Sequence, residues 1–122
     1  MNPSESNDHS TNKVIDDTIS EATFHFTIGE AATAIEQLQA LVEKHPDAAS
    51  AWHALAEILL AEKAFGDALD ACERAHALLP DDIHINVSLS RIWVELGDKA
   101  KAEHFGAQAR MLGWKQELTD NN

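Results

Sequence analysis

The chain is short of the residues that covalent, nucleic-acid and membrane chemistry rely on. It has one cysteine, Cys72, so no internal disulfide framework can form. That cysteine falls on an apolar helical stripe, where a free thiol acts as a small hydrophobe, and its neighbour Glu73 would not favour a thiolate. Basic residues are few: nine Lys and Arg stand against 21 Asp and Glu, for a formal net charge of −12. Phosphate backbones are gripped by clustered Lys and Arg, and no basic run exists here, so nucleic-acid binding is not expected. A protein partner of basic or mixed charge suits this field better. No run approaches the roughly 18 to 20 apolar residues that a membrane helix needs. Met1 to Lys13 holds no apolar segment, so no signal peptide is read there and a cytoplasmic location is the expectation.

Catalytic signatures are missing as well. There is no Gly-rich phosphate loop, no Gly-x-Ser-x-Gly turn and no Cys–His arrangement with local support, so neither an enzyme nor a cofactor is expected. The acid pairs Asp16-Asp17 and Asp81-Asp82 read as helix starts, where carboxylates meet free backbone donors. Seven histidines raise a metal question. His53, His84 and Glu57 would suit zinc by ligand type, but no pair shows local ligand spacing such as His-x3-His, and no metal site is assigned.

What the chain does have is a helical pattern that repeats. Trp52, Leu55, Ala56 and Leu59 recur at i, i+3, i+4 and i+7, forming one stripe on a helix. Ala68, Cys72 and Ala75 form a second stripe, with Leu69 and Leu78 beside it. Small residues there let two backbones approach, and the Trp52 ring fills the wedge between them. Pro80 cannot continue a helix and ends the second one, after which Asp81 or Asp82 can cap the next. The layout returns 34 residues on: Leu55 maps to Leu89, Ala56 to Ser90, Ala68 to Ala102, Ala75 to Ala109, and backwards Ala68 maps to Ala34. Trp52-x2-Leu55-Ala56-x2-Leu59, Ala68-x3-Cys72, Ala75 and Pro80 together resemble the tetratricopeptide repeat, a helix–turn–helix unit of 34 residues.

The resemblance implies an all-α solenoid of three repeats, at about 14–46, 47–80 and 81–114, since one helix pair cannot bury its own apolar surface. Residues 1–13 are polar and are expected to be a disordered tail, as are residues 118–122. In the first repeat the strict spacing puts Glu21 and His25 on the packing stripe. A shift by one puts Ile19, Ala22, Thr23 and Phe26 there, which implies a connection one residue shorter, turning at Gly29. Asp47 is expected to cap the following helix, and Gly97-Asp98 to make the last turn. Leu89, Ser90 and Trp93 carry the third repeat's packing stripe. At the far end Glu103, Gly106 and Arg110 replace Leu69, Cys72 and His76, so the outer face turns polar or small and the array caps itself, with Trp114 folding back over it. The face left by Gly106 and Ala107 is an alternative homodimer contact.

In this family the first helix of each pair lines a concave groove. Residues about 100° from the packing stripe point into it: Ser20, Phe24 and Thr27 in the shifted first repeat, His53, Glu57 and Leu60 in the second, His84, Val87, Arg91 and Val94 in the third. The resemblance therefore implies a non-catalytic adaptor holding a peptide or helix of a partner protein. A subgroup grips a C-terminal carboxylate with Lys, Asn and Arg on the groove helices. Arg91 is the only strong cation on this lining, so such a tail is not the expected ligand. Two alternatives remain. One is an assembly- or secretion-type chaperone of a specific partner subunit, since small acidic three-repeat proteins of that sort are similar in size and charge. The other is a homo-oligomer built through the 30–44 or 99–112 surface.

Overall fold

The protein is described by a computed structural model covering residues 3–120. Over those residues it is a chain of α-helices: α1 (Pro3–Thr27), α2 (Ala31–Lys44), α3 (Ala49–Ala61), α4 (Phe65–Leu78), α5 (Ile83–Glu95) and α6 (Lys99–Asp120). They pack as three antiparallel pairs, α1 on α2, α3 on α4 and α5 on α6, and each pair stacks on the next. The first helices also touch across pairs, α1 with α3 and α3 with α5, so they form the inner row of the curve.

The within-pair turns keep one geometry. Gly29, Lys63 and Gly97 all take positive φ, at 88°, 64° and 84°, and lie 34 residues apart. The amides after them bond back in step: Glu30 to His25, Ala64 to Leu59 and Asp98 to Trp93. The 34-residue spacing is thus strict in all three pairs, and the shorter first connection expected from the sequence is absent. The expectation erred because it took apolar residues as the sole mark of a packing face. In the first pair that face is partly polar. Gln37 of α2 donates to Glu21 Oε1 at 3.2 Å, and the His25 Nδ1–H meets Gln37 Oε1 at 2.9 Å. These three stand where the second repeat has Leu55, Leu59 and Ala71. Ala22 is buried between the helices, Ile19 and Phe26 are half-buried, and Thr23 is exposed with its hydroxyl on the Ile19 carbonyl.

The core is the alanine, leucine and isoleucine surface between rows, with Leu38, Ile85, Leu89 and Ile92 fully buried. Trp52 is half-buried, and its indole N–H donates to the Pro46 carbonyl at 2.9 Å. One repeat later Asn86 does the same job, donating to the Pro80 carbonyl at 3.0 Å. Each side chain ties a helix's first turn to the proline just past the end of the previous helix. Asp82 caps α5 by accepting from the Ile85 amide, whereas the N-cap of α3 is Ala48, which offers no side-chain acceptor, and not Asp47. Asp98 accepts from the Lys101 amide at the start of α6.

The ends differ from the sequence expectation. The stretch read as a disordered tail is helical from Pro3, and residues 118–120 belong to α6. Residues 1, 2, 121 and 122 lie outside the described residues. Helix extension costs little once a docked segment has supplied the nucleus, so polar composition alone did not fix where the helices stop. Trp114 does not fold back: α6 runs on without a break and the ring is 63% exposed.

Candidate functional site

The strict spacing decides what lines the inner face. Asp16, Ser50 and His84 form one row across the three pairs. Ile19, His53 and Val87 form the next, then Thr23, Glu57 and Arg91, then Phe26, Leu60 and Val94, and last Thr27, Ala61 and Glu95. Of the expected lining, Thr27, His53, Glu57, Leu60, His84, Val87, Arg91 and Val94 lie on these rows. Ser20 and Phe24 do not. They are equivalent to Ala54 and Ile58 and to Ser88 and Ile92, which turn toward the preceding pair. Leu60 is on the row but buried in the core, so it offers a partner little surface. His84, Val87, Arg91 and Val94 are exposed.

The centre of the inner face is a polar clasp joining α3 to α5. Ser88 is almost fully buried, and its hydroxyl donates to Glu57 Oε1. His53 Nε2–H donates to Ser88 Oγ at 2.8 Å and lies 3.2 Å from Glu57 Oε1, while Arg91 Nη1 stands 3.5 Å from Glu57 Oε2. The His53 hydrogen bond, helped by Ser88 and by the charges of His53 and Arg91, outweighs burial and pulls the Glu57 carboxyl down to about 2. Ser88 was not foreseen as a site residue. Its one signal in the sequence was a hydroxyl on an otherwise apolar stripe, between Ile85 and Ile92.

Serine, histidine and carboxylate together suggest a nucleophile and its relay, but the geometry is wrong for one. A relay needs the carboxylate on Nδ1 and the nucleophile on Nε2. Here both partners meet the same nitrogen, and the serine's proton is already committed to the carboxylate. The arrangement can hold two helices at a fixed spacing. The other candidate nucleophile is no better placed: burial, with Glu57 and Glu73 nearby, pushes the Cys72 thiol up to about 12. Among the described residues no three His, Cys, Asp or Glu side chains converge as metal ligands, and no helix is long and apolar enough to cross a membrane.

Comparison with known proteins fits this architecture. One family model described as tetratricopeptide repeat matches residues 21–83, and a second with the same description matches residues 59–111. The chain belongs to the tetratricopeptide repeat family. This is generally a non-catalytic protein-interaction fold, which implies protein partners. A search of curated proteins returns no match. Among solved structures, a crystal structure of MamA matches with a TM-score of 0.79 at 19% identity, covering 85% of this chain and 61% of that one. MamA 41-end from Desulfovibrio magneticus RS-1 matches at 0.76 and 20% identity, covering 81% and 56%. A chain of the CopN-Scc3 complex matches at 0.74 and 17% identity, covering 88% and 68%. At these identities the likeness is one of fold, and the present chain spans about three fifths of the MamA chains.

Proposed function

We propose that this tetratricopeptide repeat chain is a non-catalytic adaptor that holds a segment of another protein against the inner face of α1, α3 and α5. The observation that carries this reading is the contrast within that face. Its centre is locked by the clasp, while Val87 and Val94 stay exposed beside Arg91 and His84. A rigid floor with free apolar side chains at one end suits an amphipathic helix or extended peptide. Such a partner would gain most from one or two apolar anchors, because the receptor side loses little entropy on binding. Among the described residues of this face Arg91 is the one Lys or Arg, and it already leans on Glu57, so the anchors rather than a terminal carboxylate would set the affinity.

Photo-crosslinking tests this. A photoreactive residue at Val87 or Val94 should yield partner adducts in cells of the native host, and one at Asp70, on the outer helix α4, should not. Adducts from Asp70 alone would place the binding surface on the outside and defeat the reading. A second reading, an assembly-type chaperone, uses the same face. It draws on the likeness in fold to a chain solved within a complex. It differs in predicting a single subunit that co-purifies in fixed stoichiometry.

A further inference from the structure

Among the described residues each end of the stack leaves a face uncovered, and the two faces complement one another. Along α1, Asp17, Ser20 and Phe24 lie at i, i+3 and i+7, one helical stripe that Ile28, just past the helix end, continues. The first three match Ala51, Ala54 and Ile58 of α3, and Ile85, Ser88 and Ile92 of α5. Those inner copies face the preceding pair: Ser88 bonds α3, and the Cys72 thiol of α4 lies 3.8 Å from the Ile85 carbonyl. Exposure follows cover. Ile58 is 6% exposed and Ile92 0%, but Phe24 is 59% exposed.

At the opposite end a cavity of about 460 Å³ opens between α5 and α6, lined by Val94, Lys99, Ala102, Glu103, Gly106 and Arg110 among others. Gly106 stands where α2 has Leu38 and α4 has Cys72, both fully buried. The socket therefore carries a smaller residue than its internal copies, and the stripe carries a larger one, Phe24 in place of isoleucine. Charge runs the same way. Of the 21 acidic residues, 16 precede Ile83, with only four of the nine Lys and Arg. Asp17 lies on the stripe, 3.0 Å from Lys13 of its own helix, and Lys99 and Arg110 rim the socket.

We propose that the α1 stripe of one molecule docks in the α5–α6 socket of a second copy, extending the repeat stack head to tail. Such a contact is heterologous, so each assembly keeps one free donor and one free acceptor at its ends, and assembly grows with concentration. The charged component should make it sensitive to salt.

Sedimentation velocity on the full chain tests this. At low ionic strength the weight-average mass should rise between about 5 µM and 1 mM and rise less as salt screens the contact. Phe24→Asp, on the donor, and Lys99→Glu with Arg110→Glu, on the acceptor, should each weaken association at least tenfold while the far-UV helical signal stays unchanged. Should Phe24→Asp unfold, Phe24→Ser serves the same purpose. Mixing the two variants should give a one-to-one dimer that grows no further, because one sound donor meets one sound acceptor. A chain that stays monomeric throughout overturns the proposal. So does a dimer that Phe24→Asp leaves intact, which would be a symmetric contact through α6. Val94 also lines the socket, so the identity of the crosslinked adduct separates the two proposals: a second copy of this chain belongs to the head-to-tail contact, and another protein to the inner face.

Discussion

Glu57 is where single side chains matter most, because it accepts from Ser88, meets the His53 ring and faces Arg91 at once. Its carboxyl is held at about 2, against an ordinary 4.5. Above pH 4.5 both folded and unfolded chains carry it ionised, and its stabilisation is fully present. As pH falls from 4.5 toward 2, the unfolded chain binds a proton that the folded chain does not, and the stabilisation is lost. The side chain is 38% exposed, so after allowance for solvent screening the effect is about 1 kcal/mol. Urea titrations at pH 6 and pH 3 should show the loss, and Glu57→Gln should flatten the curve across that interval. An unchanged slope in Glu57→Gln would mean the clasp adds nothing.

At the scale of helices and turns, the two helices of the middle repeat were legible in the sequence because its packing stripes are apolar and its stop is a proline. The first repeat was harder to read. Glu21, His25 and Gln37 make a packing face out of hydrogen bonds, and a hydropathy pattern cannot see a bond between residues on different helices. That one misreading moved Ser20 and Phe24 from the end face into the groove. The turns held the better signal, since two of the three positive-φ positions are glycine at the same offset. The third, Lys63, takes a left-handed conformation that a Cβ disfavours. Lys63→Gly should therefore raise stability by about 0.5–1 kcal/mol, the relief of backbone strain exceeding the added freedom of the unfolded chain. Thermal melts decide it, and a lower melting temperature would count against the shared turn geometry.

For the whole molecule, holding a partner in the proposed way requires the inner row of helices to be a preformed surface. Stacked pairs gain stability mainly from their neighbours, so an inner face is rigid only where adjacent repeats are tied together. The α3–α5 clasp is that tie in the middle of the curve. It also leaves the proposed partner surface toward α5, where Val87 and Val94 occupy the positions that His53 and Leu60 hold in the clasped and buried repeat before it. The most direct measurement is a double-mutant cycle on Glu57→Ala and Ser88→Ala, read by urea unfolding. A preformed inner face predicts a coupling of about 1–2 kcal/mol between the two sites. Additive effects within about 0.3 kcal/mol would contradict it.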